Sequence, residues 1–158
     1  MPDLHNNLPG RSVWLPAKKS LINDILGKDD LKVYFGVPEF VTTDLGALIS
    51  RILKKKILNS ISLAKKSGNL AIGIDSIKTQ LTQKKHCLIL VAKGAKSLLK
   101  DSFFLSKDIS IFECMLEQDD LGKSTGKNNV KYVGILSKNF KKTIQVDLNK
   151  LKGFIDNH

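Results

Sequence analysis

Apolar residues recur at helical spacing between Thr43 and Gly68: Leu45, Leu48, Ile49, Ile52, Leu53, Ile57, Leu58, Ile61 and Ala64. Steps of three and four place them on one stripe of a long helix. Thr42 or Thr43 can cap its start, and Gly68 after Lys65-Lys66 gives it a stop. The short apolar piece Leu70-Ala71-Ile72 ends at Gly73, and "IDSIKTQLTQ" then reads as a helix with Ile74, Ile77 and Leu81 facing inward. From Cys87 to Ala92 every residue is apolar, as in a strand buried on both faces. Further on, "KGAKSLLKDSFF" reads as a helix, "ISIFECML" from Ile109 as a strand, and "EQDDLGK" as a short helix. "KYVGILS" from Lys131 reads as a strand, and "NFKKTIQVDLNKLKGFI" as a final amphipathic helix. Strands alternating with helices predict an α/β protein, a three-layer α/β/α sandwich around a central mixed sheet of about four strands, spanning residues 44–153.

The first 40 residues stand outside this pattern. A Pro-Gly turn, a short strand around Val13-Trp14-Leu15 and a helix from Ala17 to Leu26, stopped by Gly27, are too little to bury a core. Such a piece must pack on the main domain or belong to something larger.

At 158 residues the chain holds one ordinary domain or a little more. The run Cys87–Ala92 is its longest apolar stretch, far too short to cross a bilayer. "MPDLHNNLPG" lacks the basic start and apolar core of a signal peptide. Cys87 and Cys114 both lie in strand-like runs, which predicts buried reduced thiols in a cytoplasmic protein. Charge changes the picture most. Lys and Arg number 26 against 15 Asp and Glu, a net charge of +11. Such an excess calls for an anionic partner, nucleic acid foremost.

"DLGKSTGK", Asp120 to Lys127, contains the Gly-Lys-Ser-Thr of nucleotide-binding loops. A phosphate loop also requires a glycine five positions before Gly122, and a helix after the motif. The first position is Glu117, Asp119 and Asp120 add two more carboxylates, and "GKNNVKYV" leads into a strand. Like charges would face a triphosphate, and no helix N-terminus would follow to receive it. Nucleotide hydrolysis is therefore excluded, and no other catalytic constellation emerges. His5, His86 and His158 stand alone without metal-ligand spacing. We read the chain as non-enzymatic, with no cofactor and no metal.

From Ile57 to Ile144 the chain resembles the bacterial YlxQ-type members of the kink-turn RNA-binding ribosomal-protein (L-seven-Ae-like) superfamily. The residues that carry this are "ILNSISLAKKSGNLAIG", "CLILVAKGA", "LGKSTGK" against that family's Leu-Gly-x-x-x-Gly-Lys signature, and "VKYVGILSKNF". The first 40 residues resemble the second half of a YlxR domain in Leu8-Pro9-Gly10-Arg11 and Trp14, with Ser12 where glycine is usual. The chain thus reads as a YlxR–YlxQ fusion lacking its N-terminal portion.

The resemblance implies an RNA-binding end built from three elements. These are the helix start after Gly73 (Gly73, Asp75 and Lys78), the loop after the buried strand (Lys93 and Lys96), and the Leu-Gly-x-x-x-Gly loop (Gly122, Lys123 and Lys127), with Lys65 and Lys66 nearby. A helix N-terminus offers unpaired amides to phosphate, and the lysines supply counter-charge that positions a backbone without reading bases. Arg11 and Trp14 are a secondary contact for RNA or a partner, although the simpler reading of Trp14 packs it on the main domain. Relatives that recognise kink-turns carry Asn-Glu after the glycine, whereas this chain has Ile74-Asp75-Ser76. The reading is a protein that binds structured, ribosomal RNA without acting on membranes. The alternative is an assembly module docking a ribonucleoprotein or nucleoid protein.

Overall fold

The chain's most apolar run becomes the centre of its sheet. The computed structural model describes residues 3–4, 7–10, 13–26, 33, 45–83, 87–105, 109–113 and 115–155. Among these, six helices and four strands follow in the order α1 (Lys19–Leu26), α2 (Leu45–Lys66), β1 (Leu70–Ile72), α3 (Ile74–Gln83), β2 (Cys87–Val91), α4 (Ser102–Leu105), β3 (Ile109–Glu113), α5 (Gln118–Thr125), β4 (Tyr132–Ile135) and α6 (Lys138–Ile155). The sheet order is β1-β4-β2-β3. β4 runs antiparallel to both β1 and β2, and β3 runs parallel to β2, so the sheet is mixed. The α/β/α sandwich read from the sequence is the observed fold.

β2 shows why three layers are needed. All five of its residues are buried. Leu88 and Leu90 join the cluster under α2 and α6, while Cys87, Ile89 and Val91 join the cluster under α3 and α4. Alternate side chains of a strand leave opposite faces, so an all-apolar strand must be covered twice. On the first face α2 presents Ile49, Leu53, Ile57, Ile61 and Ala64, and α6 presents Ile144, Leu148, Leu151 and Phe154. On the second face, Ile77 and Leu81 of α3 are buried as their spacing predicts. Gly134 of β4 makes that contact close. A Cβ there would lie 3.0 Å from Cγ1 of Ile77 and 3.3 Å from Sγ of Cys87.

The α2 stop is built as expected. Gly68 adopts φ +71°, and the amides of Gly68 and Asn69 donate to the carbonyls of Lys65 and Ala64. That is a Schellman ending, which a left-handed glycine permits. The proposed caps Thr42 and Thr43, like Gly27, lie outside the described residues.

α2 and α6 also share a charge pair, with a half-buried lysine reaching a buried carboxylate. Lys56 Nζ donates to Asp147 Oδ1 at 3.0 Å, and Asp147 is 1% exposed. The other carboxylate oxygen, Oδ2, is buried with no hydrogen-bond partner among the described residues.

Three sequence readings require correction. "KGAKSLLKDSFF" is a series of turns, and only Ser102–Leu105 is helical. Gly94 takes φ +76°, and Ser97 Oγ and the Leu98 amide both donate to Glu113 Oε1, which ties the segment to β3 rather than to a helical ladder. Asp101 Oδ1 then accepts the Phe103 amide and caps the short α4. In the N-terminal segment Val13-Trp14-Leu15 forms no strand. Finally, Trp14 does not pack on the domain; it is 74% exposed.

Leu15, Ala17 and Ile22 take the docking role and join the α2/α6 cluster. Gly153 of α6 makes this possible, because a Cβ there would collide with the Ala17 carbonyl. α1 follows from Lys19, two residues later than read from the sequence, and packs against α2.

Burial raises the Cys87 thiol from 9.0 to about 11, against smaller opposite effects of the Lys141 charge and of a backbone hydrogen bond with Ile135. A thiol held neutral by the fold stabilises it fully below the unfolded value, and that contribution is lost as pH rises through the folded one. In a Cys114→Ser background, Cys87 should resist alkylation at pH 8 until denaturant is added. Chemical denaturation should also show stability falling between pH 9 and 11 more steeply than in the Cys87→Ala protein.

Candidate nucleic-acid interface

One end of the sheet, where β1 and β2 finish and β4 begins, gathers three connections. The register places Ile72 opposite Val133 and Val91 opposite Tyr132, so the β1–α3 turn, the loop after β2 and the loop before β4 meet there. Tyr132 joins them. Its carbonyl accepts the Gly73 amide at 2.9 Å, and its hydroxyl donates to the Lys96 carbonyl at 3.0 Å. The neighbouring Lys131 carbonyl accepts the Ala92 amide at 2.9 Å.

Between the Gly73 turn and the last of these loops lies an open cavity of about 270 Å³. Its lining includes Gly73, Lys127, Asn128, Asn129, Lys131 and Tyr132. Gly73 has φ +88°, a conformation glycine adopts without strain, and α3 begins at the next residue. The Gly73 amide is spent on Tyr132, so the amides that α3 leaves without intrahelical partners are those of Ile74, Asp75 and Ser76. Asp75 is exposed in that first turn and brings a carboxylate to the rim.

The Gly-Lys-Ser-Thr stretch is not the loop that its sequence suggests. Gly122 to Thr125 form the last turn of α5, and the loop begins at Gly126. Gly122 is buried within the helix and does not set the turn. Its missing Cβ leaves room for the Lys127 carbonyl, which a Cβ would approach to 2.6 Å. The turn belongs to Gly126, at φ +67°, whose amide bonds to the Gly122 carbonyl as does the Lys127 amide at 3.0 Å. The motif therefore ends a helix where a phosphate loop would begin one.

The other polar groups of the stretch are also committed. Thr125 Oγ1 and Ser124 Oγ donate back to the Leu121 carbonyl at 2.7 and 2.9 Å. The carbonyls at this helix end are served from α2: Ser62 Oγ donates to Ser124 at 2.8 Å, and Lys65 Nζ donates to Thr125. At the other end of α5, Glu117 is the N-cap residue and Asp119 and Asp120 lie in the first turn, so carboxylates hold the anion-favouring end of the dipole.

The expected site residues divide accordingly. Gly73 and Lys127 share the cavity, and Lys96 is one hydrogen bond away through Tyr132. Lys65 reaches Gly126, next to Lys127, with its Nζ 3.1 Å from where a Cβ would stand. Lys93 lies on the loop after β2, where its Nζ pairs with Glu117 Oε1 at 3.3 Å and its carbonyl accepts from Gln118. Lys66 and Lys123 are exposed at the ends of α2 and α5, outside the cavity lining. Lys78 is directed elsewhere. Its Nζ lies 3.5 Å from Asp101 Oδ2 and 5.3 Å from the Phe103 ring centroid, over the aromatic pair of α4. Arg11 lies outside the described residues, as do all three histidines. Among the described residues no cluster of His, Cys, Asp or Glu suits a metal ion, and no helix is long and apolar enough to cross a membrane.

Sequence reasoning misses Asn128, Asn129 and Lys131. The available signal is an Asn-Asn pair directly after Gly-Lys, since asparagine tolerates the left-handed turn that Asn129 adopts at φ +48°.

Residues 55–145 match the Ribosomal protein L7Ae/L30e/S12e/Gadd45 family. The match takes in more than half of the chain, and the chain belongs to that family, whose members are RNA-binding proteins and generally not enzymes. No curated protein matches the chain. Among solved structures, a protein with unknown function from Bacillus halodurans is similar over 60% of this chain and 97% of its own, at 18% identity and a TM-score of 0.48.

A methyl group at position 122 would press on backbone, which yields less readily than a side chain. Gly122→Ala should therefore cost about 1–3 kcal/mol of stability, the range for overpacked interiors. Hydrogen exchange of the 127–131 amides should rise in that variant while exchange in β2 stays slow.

Proposed function

We propose that the chain is a non-enzymatic protein that binds structured RNA, ribosomal RNA foremost, through the end of the sheet at Gly73. The observation that carries this is the cavity between the Gly73 turn and the 127–132 loop, which Lys127, Lys131, Asn128 and Asn129 line beside the start of α3. Cations and backbone amides hold phosphates in register, while carboxamides offer donors and acceptors to base edges. Lys65, Lys66, Lys93, Lys96 and Lys123 would extend the positive surface outward along the RNA backbone. Ile74-Asp75, standing where kink-turn-binding relatives carry Asn-Glu, favours looser recognition of structured RNA over strict kink-turn specificity.

Within the family, the YlxQ-type resemblance of residues 57–144 supports a bacterial cytoplasmic protein working on ribonucleoprotein particles. We take residues 44–153 as the RNA-binding domain and residues 1–40 as a YlxR-like arm. In that arm the exposed Trp14, with Arg11 near it in sequence, is a second contact for RNA or a partner. Stacking of an unpaired base on the indole suits such an exposed ring.

Charge reversal separates the cavity from the general surface. With a structured ribosomal RNA fragment as probe, Lys127→Glu combined with Lys131→Glu should weaken binding at least tenfold. It should also shrink the slope of log affinity against log salt by roughly 2, one for each phosphate left without its lysine. Lys141→Glu with Lys142→Glu, on α6, should change both much less. Equal weakening by the two pairs would remove the site from that end of the sheet.

A further inference from the structure

β3 is the last strand of the sheet, paired with β2 on one side and, among the described residues, with no strand on the other. Edge strands carry unpaired backbone donors and acceptors, and proteins usually blunt them with lysine, proline or a bulge. β3, Ile-Ser-Ile-Phe-Glu, has no lysine, proline or bulge, and its one charged residue, Glu113, stands at its last position, in a chain where 26 residues are basic. Its register with β2 is continuous over all five residues.

An open groove of about 300 Å³ runs along this strand. Ile111, Phe112 and Glu113 form its floor, Leu99 stands on the α4 side, and Met115 and Ile155 stand on the α6 side. Ile111 belongs to the cluster under α3 and α4 and Phe112 to the cluster under α2 and α6, so the groove straddles the sheet edge and touches both layers. Leu99 is 54% exposed on its wall. Lys152 lines the groove on one side, and exposed Lys100 follows Leu99 on the other. The acidic residue of the lining, Glu113, is engaged within the chain: its Oε1 accepts from Ser97 Oγ at 2.9 Å and from the Leu98 amide at 2.8 Å.

We propose that this edge is a docking groove for an extended segment of a partner protein, apolar in its middle and bordered by acidic residues, which adds a fifth strand beside β3. A strand laid there would satisfy the open backbone groups and send successive side chains to the two apolar walls. Carboxylates beside its apolar core would meet exposed Lys100 and the positive field of a chain that carries +11. A second copy of the chain fits less well. Each copy carries +11, so two would repel. The groove is independent of the RNA-binding reading, because none of its lining residues lines the cavity at Gly73.

Two labelled peptides test the assignment: four alternating Val and Ile flanked by two Glu on each side, and the same core flanked by Lys. Fluorescence anisotropy should show the acidic peptide binding with an affinity that falls as salt rises, and the basic peptide binding at least tenfold more weakly. Hydrogen exchange in the wild-type protein should slow at β3 amides when the acidic peptide is added. Leu99→Glu with Lys100→Glu changes two exposed positions and should reduce peptide affinity at least tenfold while changing the affinity for the ribosomal RNA fragment much less. Equal affinity for the two peptides, no binding of either, or peptide-induced protection that bypasses β3 would overturn the proposal. So would a concentration-dependent dimer that itself protects β3, which would give the edge to a second copy.

Discussion

Burial of β2 on both sides is the constraint from which the architecture follows. Five consecutive apolar residues in an extended chain expose two apolar surfaces, and neither can be left to water. One helical layer would strand either the Leu88/Leu90 face or the Cys87/Ile89/Val91 face. The chain answers with helices both before and after the strand, and with β4 on one side and β3 on the other. The close seat of α3 on Gly134 completes the second layer. Everything at the Gly73 end is carried on the ends of these elements, so its precision is borrowed from the packing of β2.

The short helix α5 converts that packing into a site. Its last carbonyls are held by Ser62 and Lys65 of α2, and its last turn closes over Gly122 and Gly126. The loop that follows must therefore leave in one direction, toward the Gly73 turn. Tyr132 then fastens the loop end to that turn with its carbonyl and to the Lys96 segment with its hydroxyl. Helix start, post-strand loop and pre-strand loop are joined through a single residue, and a shift of one is passed to the others.

The parts of the fold that are legible in the sequence are those where period alone decides. The long stripe of α2, the solid run of β2 and the amphipathic α6 each satisfy one geometric rule over many residues. Where the outcome depends on a partner far along the chain, pattern fails. "KGAKSLLKDSFF" has helical spacing, but Glu113 captures its Ser97 hydroxyl and Leu98 amide. Val13-Trp14-Leu15 has strand composition, but among the described residues no neighbouring strand pairs with it. The site is legible in part: the glycine before α3 and the basic Gly-Lys after α5 stand out in the sequence, and the two meet at the cavity. Which glycine turns the chain is not legible, because Gly122 and Gly126 differ only in what stands next to them in space. Lys78 fails for a similar reason. Its position on α3 is as read, but Asp101 and the α4 rings, which draw it sideways, are more than twenty residues away in sequence.

The carboxylate of Asp147, half satisfied by Lys56 and otherwise sealed from water, gives the α2/α6 layer something its leucines and isoleucines cannot. Aliphatic ridges interdigitate almost as well after a slide of one helical turn, so they hold two helices together without saying where along each other they belong. A buried charge has only one acceptable address. Moving α6 along α2 by a turn would leave the carboxylate with no counter-ion in a dry interior. The energy given up by the lone oxygen thus becomes positional information. The charge pair favours one register of α6 on α2, and on the same helix Gly153 leaves room for the Ala17 carbonyl of the N-terminal segment.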